Sequence, residues 1–156
     1  MTAAGAGSNV TVDQPELELA FPPRPEYVRM ARHTVAALAR LYEFDDDSVE
    51  NLKLAVSEAC TNAVSVNAES GAEPVRVLAG VADGWLTIDI LDAGPGVSAS
   101  LMDQEPQFDS NEFTFERGLS LPLIRGLVDD LAVLPREPHG SVVRMRLAHA
   151  GERQLS

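Results

Sequence analysis

Residues 91–97 read LDAGPGV and directly follow the apolar run WLTIDI at 85–90, and this junction constrains the fold more than any other stretch. The apolar run predicts a partly buried strand, which would end in Asp92 with two glycines and a proline close behind it. A tight turn needs one glycine, or a Pro-Gly pair. The acid at the strand end and the spare glycine are therefore the features that need a functional or a structural explanation.

A ligand would explain both features. A carboxylate at the end of a partly buried strand destabilises the fold unless a donor pairs with it, and the exocyclic amine of a purine is one such donor. Gly94 and Gly96 would let the backbone approach a ligand closely, because they carry no side chain. The alternative is an elaborate turn that binds nothing.

A second candidate element is the stretch SVENLKLAVSEACTNAVSV, whose apolar residues recur at helical spacing. Glu58 and Asn62 lie four residues apart on this predicted helix, so they project from the same face. A carboxylate and an amide oxygen in that arrangement could serve a hydroxyl group and a hard cation, respectively. The alternative is an ordinary polar helix face.

A third candidate element is RGLSLPLIRGL at 117–127, where Arg117 and Gly118 precede a predicted apolar helix over Gly118–Leu131. A helix that begins with glycine offers free backbone N–H groups and the positive end of its dipole to a phosphate. Arg117 would add a permanent positive charge. The alternative is a flexible loop before a helix, and neither a Walker loop nor a Rossmann glycine motif occurs in the chain.

The other elements follow from local pattern. We predict a strand at LELAF (17–21), helices over Glu26–Tyr42 and from Asp45–Asp47 onward, strands at 75–81 and 85–91, and a last hairpin formed by Leu131–Leu134 and Val142–Leu147. This order predicts an α/β (α+β) two-layer sandwich, with a mixed, mostly antiparallel sheet and helices on one face. We expect a disordered lead-in at 1–15, a single domain at 16–148 and a tail at 149–156.

The chain of 156 residues has a formal net charge of −12 and one cysteine, Cys60. Such an acidic surface disfavours nucleic acid or an anionic membrane as a direct partner and favours a basic protein, unless the acids serve only solubility. No apolar run is long enough to span a bilayer, and no secretory signal is visible. We therefore expect a cytoplasmic protein without an internal disulfide.

The order of these elements resembles a known superfamily. A helix with E-x-x-x-N, a hairpin that ends in D-x-G-x-G, a long loop and a Gly-led helix resemble the N, G1 and G2 boxes of the GHKL (histidine-kinase-like) ATPases. Within that superfamily the chain resembles the small bacterial anti-sigma factors that are serine-protein kinases. The resemblance covers roughly residues 16–148 and is carried by SEACTNAV (57–64), LDAGPGV (91–97) and RGLSLPLIRGLVDDLAV (117–133), with support from FPPRPEYVRMARHTVAAL (21–38) and GSVVRMRL (140–147).

The resemblance implies the GHKL (Bergerat) sandwich and a site for ATP with Mg²⁺. Asn62 would coordinate the Mg²⁺ that bridges the phosphates. Asp92 would accept a hydrogen bond from the adenine amine, and Gly94 and Gly96 would pass close to the base. Glu58 would be the general base that takes the proton from a serine hydroxyl of the protein substrate.

The same resemblance implies a phosphate contact and a lid. The backbone amides of Gly118, Leu119 and Ser120 would hold phosphate, with Arg117 as a possible partner, and the loop 97–117 would form the lid.

The resemblance also implies two protein partners. One is an RNA-polymerase sigma factor, which the chain would hold inactive, and the other is a STAS-type anti-anti-sigma protein, which it would phosphorylate on serine. Arg32, on the first helix, matches a family position at the surface that both partners share, and the same surface often mediates homodimerisation. Phosphorylation would add charge to the anti-anti-sigma protein and expel it.

Three residues depart from the family pattern. Ser120 replaces the second glycine of a G-x-G box, Glu116 holds a place where many relatives carry arginine, and Val66 holds a place where the family often has histidine. The departures at Ser120 and Glu116 favour a second reading, in which the same fold is only a partner-binding regulatory module with weak or no kinase activity. The retained Glu58 favours the kinase. A detached histidine-kinase catalytic domain is a third reading, opposed by the absence of a phosphoacceptor helix.

Overall fold

The computed structural model of the chain describes residue 12, residues 14–94 and residues 120–150. The predictions made for Gly96, Arg117, Gly118, Leu119 and the loop 97–116 lie outside these residues.

The sheet has five strands, and β3 is at its centre. The strands are β1 (Leu17–Phe21), β2 (Val75–Ala82), β3 (Trp85–Asp92), β4 (Asp130–Pro135) and β5 (Ser141–Ala148). Their spatial order is β1-β2-β3-β5-β4, and each of these pairings is antiparallel. The register between β3 and β5 places Asp92 opposite Ser141, so the end of β3 is flanked by the start of β5.

Three α-helices accompany the sheet in the described part of the chain: α1 (Val28–Leu41), α2 (Asp46–Glu69) and α3 (Ser120–Arg125). A single 3₁₀ turn at Pro25–Tyr27 leads into α1. Acidic residues in the first turn of α2 stabilise the helix, because their negative charges lie at the positive end of its dipole. α2 packs against α1, β3 and α3, so the predicted two-layer architecture is confirmed.

The core lies between the helices and one face of the sheet. Leu86, Ile88 and Ile90 alternate along β3 and point into this core, where they are almost completely buried. Burial of side chains of this size stabilises the fold by about 1.5–3 kcal/mol each. The opposite face carries a smaller apolar cluster of Leu78, Leu91 and Val142. Both faces of β3 are therefore largely covered by apolar side chains, and its last residue, Asp92, pairs with Ser141 of β5.

The predicted helix over Gly118–Leu131 is wrong in its C-terminal half, because α3 ends at Arg125. The N–H of Gly126 donates to the carbonyl oxygens of the preceding helical turn, and glycine is a poor helix former. The chain then joins the sheet through a hydrogen bond from Asp129 N to Arg146 O. Strand pairing with β5 outweighed the helical pattern that continued past the glycine.

None of the helices in residues 14–94 and 120–150 combines the length and the hydrophobicity that a membrane span requires.

Candidate functional site

A stripe of three residues on α2 leads to the end of β3. Glu58, Asn62 and Val66 are spaced four residues apart, so they lie on one face of the helix over two turns. Glu58 and Asn62 are half-buried, and Val66 is buried. A Cβ atom placed on Gly94 would lie closer than 3.0 Å to Val66 Cγ1. The last residue of the stripe therefore touches the glycine that follows Asp92.

This packing brings together two candidate elements that the sequence indicated separately, the helix of Glu58 and Asn62 and the strand that ends at Asp92. Asn62 lies one helical turn, roughly 6 Å along the axis, from the residue that contacts Gly94, and Glu58 lies one turn further. Gly94 does not have a left-handed φ angle. Glycine is needed here because Val66 leaves no room for a side chain, and the backbone conformation does not itself require it.

Asp92 is held by backbone donors on one of its two carboxylate oxygens. Oδ1 accepts hydrogen bonds from Gly94 N at 3.0 Å and from Ser141 N at 3.2 Å. Burial raises the pKa of the Asp92 carboxyl, and the two N–H donors and the charge of Arg136 offset part of that increase. Among the described residues both donors reach Oδ1, so Oδ2 is the oxygen that a ligand amine could use.

The hairpin between β4 and β5 closes against the backbone of Asp92. Arg136 Nη1 donates to the carbonyl oxygen of Asp92 at 2.8 Å. Gly140 has a φ angle of +106°, and a Cβ atom there would lie closer than 3.0 Å to the same carbonyl oxygen. The sequence predicted this hairpin but assigned no role to it. A glycine immediately before a strand was the only local signal.

Asn67 is a site residue that the sequence analysis missed. Its side chain is completely buried. Oδ1 accepts from Ala93 N at 2.7 Å, and Nδ2 donates to Glu73 O at 2.9 Å and Pro74 O at 3.2 Å. The last two turns of α2 also carry Ser65 and Glu69, so nothing local in the sequence set this amide apart.

Arg32 links the two long helices near Glu58. Its Nη1 lies 3.4 Å from Ser57 Oγ, a long hydrogen bond to the residue that precedes Glu58. Its Nε is buried and has no hydrogen-bond partner among the described residues. Arg32 is thus a half-buried cation between the surface of α1 and the helix that carries the candidate base.

Helix α1 carries only basic ionisable groups, although the chain as a whole is acidic. α1 carries Arg29, Arg32 and Arg40 and no acidic residue. The pKa of His33 is lowered, first by loss of hydration and then by the positive charges of Arg32, Lys53, Arg29 and Arg40. These cations therefore act on a common point of the surface.

The candidate phosphate segment is only partly described. Ser120 begins α3, and α3 packs on α2 through the buried Leu121 and Ile124. The structure thus places α3 beside the helix of Glu58 and Asn62. It does not describe Arg117, Gly118 or Leu119.

The fit to a nucleotide with Mg²⁺ can be tested on these residues. Asp92 offers a fixed acceptor, because Gly94 N and Ser141 N hold its Oδ1. Mg²⁺ in nucleotide sites is usually held by one or two protein oxygens, with phosphate oxygens and water completing its shell, so the amide oxygen of Asn62 is a suitable ligand. The residues present therefore fit ATP with Mg²⁺.

Comparisons with known proteins agree with this geometry. The model of the histidine kinase-like ATPase domain matches residues 21–147. The chain is 34% identical over 128 residues to the serine-protein kinase RsbW of Bacillus cereus, covering 78% of this chain and 79% of that protein. It is 35% identical over 125 residues to RsbW of Bacillus licheniformis, covering 75% of this chain and 76% of that protein.

Two solved structures share the fold. The RsbU and RsbW domains of Rv1364c from Mycobacterium tuberculosis align with a TM-score of 0.61 and 16% identity, over 85% of this chain and 32% of that chain. A chain of the SiaB-SiaC complex from Pseudomonas aeruginosa aligns with a TM-score of 0.63 and 12% identity, over 93% of this chain and 95% of that chain. At these identities the likeness is one of fold alone.

Proposed function

The chain belongs to the histidine kinase-like ATPase family, in the group of the serine-protein kinases RsbW, and from that premise we propose that it is an ATP-dependent anti-sigma kinase. It binds ATP with Mg²⁺ in one domain over residues 16–148, sequesters an RNA-polymerase sigma factor, and phosphorylates a serine of an anti-anti-sigma protein. The observation that carries the proposal is the stripe from Glu58 through Asn62 to Val66, which ends against Gly94 beside the carboxylate of Asp92.

Asp92 recognises the adenine. Its Oδ1 is occupied by Gly94 N and Ser141 N, so its Oδ2 accepts from the exocyclic amine. Gly94 and Gly96 would pass close to the base beside this carboxylate. Because a buried acceptor without its donor is costly, this pairing selects adenine over purines that lack the amine.

Asn62 and the segment before α3 hold the triphosphate end. The amide oxygen of Asn62 would hold Mg²⁺, and the ion would neutralise charge on the phosphates. Arg117 and the backbone amides of Gly118, Leu119 and Ser120 hold the phosphate oxygens. Positioning and charge neutralisation account for most of the catalysis in phosphoryl transfer.

Glu58 is the general base. The serine oxygen of the substrate forms a bond to the γ-phosphorus while the bond between that phosphorus and the bridging oxygen of ADP breaks. Glu58 takes the proton of the serine hydroxyl, and ADP leaves with the electron pair of the broken bond. A protein that only held a partner would have no need of a carboxylate at this place on the stripe.

The positive surface of α1 is the partner-binding surface, centred on Arg32. The net charge of −12 by itself favours a basic partner. Charges separated by more than about 8 Å are largely screened at physiological salt, so the local arginines decide the contact. We therefore expect both the sigma factor and the anti-anti-sigma protein to present acidic groups to α1. The phosphoryl group on the substrate serine then releases the anti-anti-sigma protein by a steric clash, because added negative charge alone would strengthen its attraction to the arginines of α1.

The test compares the native chain with Glu58→Gln and Asp92→Asn, using Mg²⁺-ATP and a STAS-type anti-anti-sigma protein as substrate. Calorimetry measures ATP binding, and mass spectrometry of the substrate measures transfer of one phosphoryl group. We expect native and Glu58→Gln chains to bind ATP, only the native chain to transfer phosphate, and Asp92→Asn to do neither.

Glu50→Gln is the matched control, because Glu50 lies on the same helix and pairs with Lys53 at the exposed surface. It should bind and transfer like the native chain. Transfer that persists in Glu58→Gln would remove Glu58 from the base role. A native chain that binds no ATP would refute the kinase and leave a module that only binds partners.

A further inference from the structure

We propose that Asn67 is a positioning residue that holds the turn at Asp92–Gly94 in the geometry that selects adenine. The inference rests on the proposed ATP site. It concerns a residue outside the motif positions, since Asn67 lies one residue after the stripe that ends at Val66 and faces another side of α2.

Asn67 ties the adenine-binding turn to the helix that carries the chemistry. Ala93, between Asp92 and Gly94, donates its N–H to Asn67 Oδ1 at 2.7 Å. The other anchors of this turn come from the β4–β5 hairpin and β5, through Arg136 and Ser141. Among the described residues, Asn67 supplies the hydrogen bond from α2 to this turn.

The orientation of the Asn67 amide is determined by its partners. Nδ2 faces two carbonyl oxygens, those of Glu73 and Pro74, which can only accept hydrogen bonds. Oδ1 must therefore face the N–H of Ala93. Because the side chain is completely buried, water cannot replace these contacts, and the position of Ala93 relative to α2 follows from the amide.

A shift of Ala93 is transmitted to the carboxylate that reads the base. Gly94 follows Ala93 directly, and its N–H is one of the two donors that hold Asp92 Oδ1. Loss of the Asn67 contact leaves the buried N–H of Ala93 without an acceptor, so the turn rearranges to find one. The second oxygen of Asp92 then no longer points at the amine. Adenine selectivity should fall, whereas contacts to the triphosphate should remain.

The test measures a ratio that a merely structural role would not change. Calorimetry with Mg²⁺-ATP and with Mg²⁺-ITP, which lacks the exocyclic amine, gives the Kd ratio of ITP to ATP for the full chain. The variants are Asn67→Leu, which has a similar branched shape, a larger volume and no hydrogen-bonding group, and Asn67→Asp, whose buried and therefore protonated carboxyl keeps an acceptor for Ala93 N and a donor for the facing carbonyl oxygens.

Arg144→Met is the matched control for lost stability. Arg144 on β5 forms two hydrogen bonds, at 2.8 and 2.9 Å, with the carboxylate of the buried Asp89. Asp89 lies on β3, as Asp92 does, but away from the turn. Removing it breaks a buried polar contact without touching Asn67. All variants are compared below their unfolding transitions, which are recorded by circular dichroism.

We expect the ratio to fall about tenfold or more in Asn67→Leu, as the loss of one buried hydrogen bond would give. It should stay near the native value in Asn67→Asp and Arg144→Met. If Asn67→Leu does not fold, Asn67→Ser replaces it with the same expected fall, because its short side chain cannot reach Ala93. A native ratio in a folded Asn67→Leu or Asn67→Ser would overturn the positioning role. A native chain without preference for ATP would overturn the proposed adenine site itself, and that outcome is visible before any variant is made.

Discussion

The contact between Gly94 and Val66 leads to a prediction that two substitutions can test. In Gly94→Ala the new Cβ atom would lie closer than 3.0 Å to Val66 Cγ1, whereas its next neighbours, Val66 Cβ and Asp92 Oδ1, lie at 3.5 and 3.7 Å. Ordinary contacts between carbon atoms are about 3.5–4.0 Å. The clash therefore involves a single methyl group.

The loss of folding free energy in Gly94→Ala depends on how little this methyl group of Val66 can move. Valine in a helix has one strongly preferred side-chain rotamer, so Val66 cannot turn away without cost. Overpacking of this kind destabilises a core by about 1–3 kcal/mol. Val66→Ala removes two buried methyl groups, which costs about 1.6 kcal/mol in transfer free energy at about 0.8 kcal/mol each. In the double variant the methyl group that clashes is absent, so Gly94→Ala should add almost nothing to the cost of Val66→Ala.

The assay is urea unfolding of the native chain, the two single variants and the double variant, with ATP binding measured by calorimetry on each. We expect a favourable coupling free energy of about 1–3 kcal/mol in the double-mutant cycle. The control is Val56→Ala, which also shortens a buried valine of α2 but lies in the main core away from Gly94. It should show no coupling with Gly94→Ala. Additive losses for Gly94 and Val66, within about 0.5 kcal/mol, would refute the reasoning.

Three further predictions concern the surroundings of Asp92. Burial raises the pKa of the Asp92 carboxyl above its ordinary value of 3.8. The stabilisation that Asp92 contributes to the fold is therefore fully present below pH 3.8, and it is lost as the pH rises through the raised pKa. Asp92→Asn should therefore raise Tm at neutral pH and have little effect at pH values below that range. Native ATP affinity should fall as acidification protonates the carboxylate; affinity that is flat down to pH 4 would contradict this. Gly140→Ala should cost at least about 2 kcal/mol and weaken ATP binding, since it adds a clash with Asp92 O to the strain of a positive φ angle. Gly71→Ala, with a φ of +104° and no atom near the new Cβ, measures the strain alone, so equal losses at the two glycines would rule out the clash.

Several parts of the protein were predictable from the sequence because their causes are local. The strand that ends at Asp92 follows from a short apolar run, and α2 follows from apolar residues at helical spacing. The positions of Glu58 and Asn62 on one face of α2 follow from the same spacing. The roles assigned to these residues came from the resemblance in motif order, and they stay proposals.

Other parts depended on contacts between residues far apart in the chain. The helix expected over Gly118–Leu131 ended at Arg125, because pairing with β5 was more favourable than continued helix. Asn67 looked like an ordinary residue at the end of a helix until its contact with Ala93, across 26 positions, was visible.

The sequence by itself determined which residue types this protein presents for binding and chemistry, and on which helix or strand each one lies. Only the tertiary structure decided that Val66 excludes a side chain at Gly94, that Arg136 and Gly140 close on the backbone of Asp92, and that Arg32 of α1 reaches Ser57 on α2. Periodicity acts over a few residues and can be read directly, whereas packing and hydrogen bonding depend on which distant segments meet.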